Sequence, residues 1–238
     1  DVIVNGDFDG DSKADLAVFK RADARWFIRQ SSDGAMVDKQ WGLSVDTPVA
    51  ADYDADGKTD IAVWRGLEGA WYVLQSSNGK VQTMVWGNGR APYFDVPVPA
   101  DYDGDGKADF AVFRQTNGHW YIKLSSDGSV LDKVWGMNGD VPVTEDYDGD
   151  GKSDIAVWRE AEGVWYILHS SDGLERSISL GVSSLGDVPA IGDYDGDGKA
   201  DAAVWRVREG RLYAQGSQDA ATITRNQGRP GELPIVRQ

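Results

Sequence analysis

The sequence of 238 residues contains no cysteine and only two histidines, His119 and His169. Without cysteine, no disulfide can cross-link the chain and no thiolate can serve as a nucleophile or zinc ligand. The two histidines neither recur nor lie at a spacing typical of metal ligands. We therefore predict that the chain is not an enzyme. A glycan hydrolase or lyase working through a pair of carboxyl groups is the less favoured alternative.

Long apolar runs and an excess of basic residues are also missing. No segment approaches the roughly 18 consecutive apolar residues that a membrane-spanning helix needs. Lys and Arg number 24 against 39 Asp and Glu, for a net charge of −15. Nucleic acid is not expected as a partner, because phosphate binding requires clustered Lys and Arg. The oligomeric state is left open.

What the sequence does contain is a fivefold internal repeat. Acidic loops begin at residues 7, 52, 101, 146 and 193, spaced by 45, 49, 45 and 47 residues. Another aspartate stands six residues before each loop: Asp1, Asp46, Asp95, Asp140 and Asp187. We predict a single domain over 1–238 with repeats at 1–45, 46–94, 95–139, 140–186 and 187–231.

Each repeat holds four short runs rich in Val, Ile, Phe, Tyr and Trp, separated by turns of Gly, Asp, Asn and Ser. This pattern is typical of strands and hairpins. Four strands in a repeat of about 47 residues predict an all-β fold, a five-bladed β-propeller. A β-solenoid is the alternative, although its turns are usually shorter. Residues 232–238 are either a closing strand or the start of a sixth repeat.

The acidic loops have the composition of a calcium site, as in DYDGDGKAD at residues 101–109. Ca²⁺ takes six to eight oxygen ligands. Carboxylates at loop positions 1, 3 and 5 turn inward, position 7 offers its backbone carbonyl, and the aspartate at position 9 closes the shell. The predicted ligands of about five Ca²⁺ ions are Asp7, Asp9, Asp11, Lys13, Asp15, Asp52, Asp54, Asp56, Lys58, Asp60, Asp101, Asp103, Asp105, Lys107, Asp109, Asp146, Asp148, Asp150, Lys152, Asp154, Asp193, Asp195, Asp197, Lys199 and Asp201.

Solvated acidic turns are the alternative for any one loop, since Asp and Gly favour turns. Five copies of one spacing argue against it, because carboxylates this close repel each other without a cation. Two loops depart from the pattern. Ser12 stands at position 6, where a glycine permits the sharp turn, so the first site should be strained and its occupancy is open. Ala55 at position 4 is expected to be a milder change.

Loops of the form Asp-x-Asp-x-Asp-Gly-x-x-Asp before an apolar strand resemble the FG-GAP (integrin-α-like) repeats, over nearly the whole chain. The resemblance implies a β-propeller whose loop joins the first and second strands of a blade and binds Ca²⁺ through positions 1, 3, 5, 7 (backbone) and 9. The glycine-rich end of the integrin strand is not matched, so integrin-type ligand recognition is not implied. Standing there instead are Trp64-Arg65, Phe113-Arg114 and Trp158-Arg159.

Aromatic–arginine pairs recur at the end of the blades away from the acidic loops. One hypothesis is that they line shallow sugar-binding pockets, since aromatic rings suit the C–H face of a pyranose. The alternative is that they pack the blades together and Arg stacks on Trp for structural reasons. The candidate ligand-binding residues are Trp64, Arg65, Trp86, Phe113, Arg114, Trp135, Trp158 and Arg159.

These patterns favour a calcium-binding module for binding or adhesion, in an extracellular or cell-surface setting where millimolar calcium fills weak sites. A multivalent, lectin-like protein that binds glycans is one form of it. The alternative is a purely structural propeller, or one that binds a protein ligand. The sequence does not name the ligand.

Overall fold

The computed structural model describes residues 1–226 and 228–232. The fold is all-β and consists of five antiparallel sheets, each of four strands in chain order. These sheets are the five blades of a β-propeller, as predicted. In the part of the chain that is described, no helix is long and apolar enough to cross a membrane.

The strands fall in five sets of four. They are β1 (Val2–Val4), β2 (Leu16–Lys20), β3 (Arg25–Arg29) and β4 (Met36–Gln40) in blade 1; β5 (Thr47–Pro48), β6 (Ile61–Arg65), β7 (Ala70–Leu74) and β8 (Val81–Val85) in blade 2; β9 (Asp95–Pro97), β10 (Phe110–Arg114), β11 (His119–Lys123) and β12 (Val130–Val134) in blade 3; β13 (Val141–Pro142), β14 (Ile155–Arg159), β15 (Val164–Leu168) and β16 (Glu175–Ser179) in blade 4; and β17 (Asp187–Pro189), β18 (Ala202–Arg206), β19 (Arg211–Gln215) and β20 (Thr222–Asn226) in blade 5. A single 3-10 turn, Ser183–Leu185, precedes β17.

The blades belong to two compact units, Asp1–Lys133 and Val134–Gln238. Blades 1 and 2 and nearly all of blade 3 lie in the first unit, and blades 4 and 5 lie in the second. Each sheet falls within one predicted repeat. The single-domain prediction stays a prediction. The proposed closing strand or sixth repeat falls largely on residues 233–238, which lie outside the described residues.

The position of a strand within its blade follows from its sequence. The second strands of blades 2 to 5, such as β14 with the sequence IAVWR, are buried on both sides, and an apolar run suits that place. β2 of blade 1 alternates between buried and exposed residues. The third strands alternate, with Trp165 and Ile167 of β15 buried and their neighbours partly exposed. The fourth strands are the most exposed, and all five residues of β12 face solvent. Charge on such an edge strand discourages pairing with other chains.

Within each unit, the blades pack face to face through large side chains. In the first unit, Trp71 and Val73 of blade 2 join Phe110 and Val112 of blade 3 in one buried cluster. In the second unit, Trp158 and Trp165 of blade 4 pack with Ala202 and Val204 of blade 5. Apolar packing between neighbouring sheets thus holds the blades of each unit together.

Candidate metal sites and the opposite end of the blades

The five acidic loops join the first and second strands of their blades, where the family resemblance places them. We call residues 7–15, 52–60, 101–109, 146–154 and 193–201 the metal loops. The turns between the third and fourth strands, the serine turns, lie at the same end of each blade: residues 31–34, 76–79, 125–128, 170–173 and 217–220. Antiparallel strands require this, because alternate connections return to the same end.

The aspartate at position 1 organises each metal loop. In blade 3, Asp101 Oδ1 accepts a hydrogen bond from the Gly104 backbone N–H at 2.6 Å, and Oδ2 accepts one from Gly106 N–H at 2.8 Å. The other four loops repeat both bonds to positions 4 and 6. Residues at these two positions adopt left-handed backbone conformations, with φ of 81° at Gly104 and 84° at Gly106. The sharp turn is therefore fixed by one carboxylate.

The two loops that depart from the glycine pattern adopt the same backbone. Ser12 at position 6 has φ 64°, which confirms the expected strain. Ala55 at position 4 has φ 62°, so the expectation of a milder change was wrong. A side chain in the left-handed region costs roughly 1–2 kcal/mol, because Cβ approaches the carbonyl oxygen. Position 4 takes the same left-handed backbone as position 6, so both positions favour glycine.

The aspartate at position 9 is buried and ties the metal loop to the serine turn. Asp109 Oδ2 accepts from the Tyr102 backbone N–H at 2.9 Å, and Oδ1 accepts from the Ser125 backbone N–H at 2.7 Å. The same two bonds occur in every blade. Burial raises the pKa of Asp109 to about 6, and the Asp103 carboxylate adds to the rise. Burial also raises the pKa of Asp60 and of Asp154.

Each metal loop brings three carboxylate oxygens to within 4.8 Å of one another. In the first four loops the three come from positions 1, 3 and 9, and in the fifth from positions 1, 3 and 5. The groups are Asp7, Asp9 and Asp15; Asp52, Asp54 and Asp60; Asp101, Asp103 and Asp109; Asp146, Asp148 and Asp154; and Asp193, Asp195 and Asp197. Oxygen donors gathered in this way suit a hard divalent cation.

Within residues 1–226 and 228–232, one buried atom of these groups has no hydrogen-bond partner. Asp54 Oδ1 is buried, and no donor reaches it, while Asp54 Oδ2 accepts from Ser77 Oγ at 2.6 Å. A buried carboxylate oxygen left unpaired is costly, and a cation is the partner that would satisfy it. The residues present therefore fit a metal ion.

The serines of the serine turns were not identified from the sequence as part of the site. In blade 3, Ser125 Oγ donates to Asp105 Oδ1 at 2.9 Å, and Ser126 Oγ donates to Asp103 Oδ2 at 2.6 Å. The position-5 carboxylates of the first four loops are engaged in this way and lie outside the triads. Their role as ligands, and that of the lysine carbonyls at position 7, stays a prediction. The recurring Ser-Ser pair was the available signal.

Neighbouring metal loops are also joined by backbone hydrogen bonds within each unit. Thr59 N–H donates to the carbonyl of Asp7, and Ala108 N–H donates to the carbonyl of Asp52, both at 2.6 Å. In the second unit, Ala200 N–H donates to the carbonyl of Asp146 at 2.8 Å. The backbone N–H at position 8 of one loop thus donates to the carbonyl at position 1 of the preceding loop. The conformation of one metal loop therefore depends on that of its neighbour.

The opposite end of blades 2 to 5 carries a different acidic motif. In blade 2, Arg65 Nε and Nη2 donate to the two oxygens of buried Asp46 at 2.8 and 3.0 Å. The guanidinium also lies over the ring of Tyr72, 4.7 Å from its centroid. We call these groups the Asp–Arg–Tyr clusters; the others are Asp95, Arg114 and Tyr121; Asp140, Arg159 and Tyr166; and Asp187, Arg206 and Tyr213.

These clusters bear on the candidate sugar-binding residues. Trp64, Phe113 and Trp158 are at most 4 % exposed and offer no free ring face. Trp86 and Trp135 are half-buried, and their indole N–H groups donate to backbone carbonyls of the next blade, at 2.9 and 3.0 Å. Arg65, Arg114 and Arg159 keep 16–19 % of their side chains exposed. Glycan binding by this set stays a prediction, and the three buried rings cannot act as its stacking platforms.

The fold and the five loops define a repeat β-propeller with acidic turns suited to metal ions. The profile of the FG-GAP-like repeat family matches residues 7–63, 52–112 and 146–204, more than half of the chain. The chain therefore belongs to the FG-GAP-like repeat family. No curated protein matches its sequence.

Solved structures share the fold at low sequence identity. An Agrocybe aegerita lectin that recognises non-reducing terminal N-acetylglucosamine aligns with a TM-score of 0.62 and 17 % identity, over 94 % of this chain and 65 % of the lectin. A streptogramin B lyase aligns with a TM-score of 0.59 and 9 % identity, over 94 % and 68 %. BBS1N, in complex with ARL6DN, aligns with a TM-score of 0.53 and 13 % identity, over 93 % and 66 %. The chain spans about two thirds of each.

Proposed function

We propose that the chain is a calcium-stabilised, non-catalytic binding module. The observation that carries this proposal is the triad of converging carboxylates, built five times with the same hydrogen bonds. Its donors are all oxygens, which favours Ca²⁺ over softer metals. Mg²⁺ suits the loops less, because it demands a rigid octahedral shell and keeps several waters.

The residues that would hold each ion are the aspartates at positions 1, 3, 5 and 9 and the backbone carbonyl at position 7. In blade 2 these include Asp54, whose buried Oδ1 lacks a donor. Bound Ca²⁺ would supply positive charge that the loops lack. The ion would neutralise the repulsion between the carboxylates and hold the serine turn against the metal loop, and its binding to the folded chain alone would stabilise the fold.

Calorimetric titration with Ca²⁺ tests this part of the proposal. We expect about five ions per chain, one per loop. Asp103→Asn should reduce the number by one, because it removes a charge from the triad of blade 3. Asp127→Asn is the matched control, since Asp127 lies in the serine turn of the same blade and outside the triad. No uptake of calcium at millimolar concentration would contradict the proposal.

Glycans are the ligand class that we propose for this module, at the cell surface or outside the cell. Repeated blades offer several equivalent places, so weak single sites could combine through avidity. The Agrocybe aegerita lectin uses the same fold to recognise N-acetylglucosamine, although at 17 % identity this supports the fold alone. A glycan array in millimolar calcium, repeated with chelator, is the test. Calcium-dependent binding to defined sugars is expected, and no binding at high protein density would contradict it.

Binding of a protein is the second candidate. Exposed apolar side chains favour it, since several stand in the connections at the end opposite the metal loops. They include Val45 at 62 % exposure, Leu67 at 60 % and Phe94 at 51 %. Apolar residues on such surfaces often mark contacts with other proteins. Binding to a purified protein that survives both excess sugar and chelator would favour this candidate over a lectin.

A further inference from the structure

A cleft of about 290 Å³ opens between blades 2 and 3 of the first unit, beside the metal loops. Its polar lining comes from Gln75, Gln82, Lys107 and Lys123, together with Asp54 of the second metal loop. Apolar lining is contributed by Tyr53, Met84 and Phe110. The volume is close to the lower end of the range for small-molecule sites, which combine an apolar wall with a few converging polar groups.

The residues at this place differ in character from their equivalents between blades 1 and 2. Gln82 is the second residue of a fourth strand, where blade 1 has Val37. Val37 packs against the apolar cluster that joins blades 1 and 2. Lys123 is the last residue of a third strand, where blades 2 and 4 have Leu74 and Leu168. The apolar pair of blades 1 and 2, Val37 and Leu74, is thus replaced by an amide and a cation. The equivalent pair of blades 4 and 5, Arg176 and Gln215, is also polar.

Lys107 lines the cleft beside Asp54 of the second metal loop, the loop that has an alanine at position 4. In the first loop, Gly10 lies under Lys58, whose Cε and Cγ would be 3.0 and 3.2 Å from any Cβ at that position. Ala55 occupies the equivalent position in the second loop. A lysine from the next blade placed as Lys58 is would lie close to this Cβ. Lys107, the equivalent lysine, lines the cleft instead.

The polar groups define the chemistry of a ligand. Lys123 Nζ donates to the Gly128 carbonyl at 2.7 Å, which fixes the ammonium at the cleft, and an ammonium has three donors. The two lysines suit a carboxylate. The side-chain amides of Gln75 and Gln82 lie within 3.4 Å of each other and can both donate to and accept from hydroxyl groups. The nearby Asp54 belongs to a metal triad, where a cation would offset its charge.

We propose that this cleft binds an acidic saccharide, with the carboxylate of a uronic acid residue between Lys107 and Lys123 and its hydroxyls at the two glutamines. This inference rests on the proposed glycan-binding function and specifies one site and one class of sugar for it. It differs from the aromatic–arginine hypothesis in lying at the metal-loop end of the blades.

The test is titration of the calcium-loaded chain with glucuronate, glucose and N-acetylglucosamine, followed by NMR. Glucuronate should bind at least about tenfold more tightly than glucose, since a charge-assisted contact adds to the shared hydroxyl contacts. Lys123→Leu, which restores the residue of blades 2 and 4, should abolish this preference, and Lys107→Ala should weaken it. Lys133→Ala removes an exposed lysine of the same blade that does not line the cleft, and it is the matched control, expected to leave binding unchanged.

Two results would overturn the inference in distinguishable ways. If neutral sugars bind as tightly as glucuronate, or if Lys123→Leu leaves the preference intact in a folded, calcium-loaded chain, the cleft assignment is wrong while glycan binding stands. If no saccharide of the three or of the glycan array binds, the proposed glycan function fails together with this site. Melting curves of each variant in calcium show whether the fold is retained.

Discussion

The two ends of the blades neutralise their aspartates in different ways. At the end opposite the metal loops, each buried aspartate of blades 2 to 5 has its own arginine, held by two hydrogen bonds and a tyrosine ring. At the metal-loop end, four aspartates share one loop. Among the described residues, basic side chains lie within 4 Å of these carboxylates at two places only: Lys13 Nζ is 3.4 Å from Asp11, and His169 Nδ1 is 3.7 Å from Asp148. One end therefore neutralises its aspartates within the chain, whereas the other has few basic side chains near its carboxylates.

This contrast separates two sources of stability that a single melting curve would combine. The Asp–Arg–Tyr clusters are internal to the chain and respond to mutation but not to chelator. If the loops bind calcium as proposed, they should respond to both mutation and chelator.

Removal of calcium should have the largest effect. A site at 100 times its dissociation constant contributes about 2.7 kcal/mol of stabilisation, and five loops are present. We expect excess chelator to lower the melting temperature by several degrees or more, and calcium, but not the same concentration of magnesium, to restore it. The measurement is thermal unfolding followed by circular dichroism. An unchanged melt in chelator would show that the loops are stable without a cation.

Breaking one Asp–Arg–Tyr cluster should come next. Arg114→Ala leaves the Asp95 carboxylate buried at 5 % exposure without its bidentate partner. Loss of one partner of a buried pair costs about 3–5 kcal/mol, because the remaining charge is uncompensated. Denaturant unfolding should report this loss equally with and without calcium.

The control for that loss is the double variant Asp95→Ala/Arg114→Ala. Without either charge, part of the stability should return. If the loss of unfolding free energy in Arg114→Ala disappears in chelator, the two ends of the blade are coupled. The two ends would then not be independent sources of stability.

The sequence predicted the fold and the loops well because both depend on short, repeated patterns. Four strands per repeat and the Asp spacing required no knowledge of long-range contacts. The Asp–Arg–Tyr clusters were not predicted, because Asp46 and Arg65 are 19 residues apart and meet only through the pairing of β5 with β6. Arg65 stacks on the ring of Tyr72, whereas stacking on a tryptophan had been considered. The burial of Trp64 between blades likewise depends on packing that the pattern of one strand does not specify.

Acidification should have a smaller, calcium-dependent effect. Burial raises the pKa of Asp109 to about 6, so the metal-free fold favours the protonated acid. That contribution to stability is present at low pH and is lost as the pH rises through about 6, whereas calcium needs the carboxylate. Below pH 6, one competing proton should weaken binding about tenfold per pH unit. Calcium titrations at pH 5, 6 and 7 measure this, and a pH-independent affinity would contradict it.

Relief of strain in single loops should have the smallest effect. Ser12→Gly removes the left-handed penalty of roughly 1–2 kcal/mol. Glycine loses more backbone freedom on folding, which costs about 0.5–1 kcal/mol, so the free energy of unfolding should rise by a net amount of about 0.5 kcal/mol. The gain should be larger in calcium, because the turn that holds the carboxylates of the first loop would form with less strain. Gly104→Ala introduces the same strain into the third loop and should lower stability by a similar amount. If Ser12→Gly stabilises equally with and without calcium, the strain at position 6 acts on the fold alone and not on the metal site.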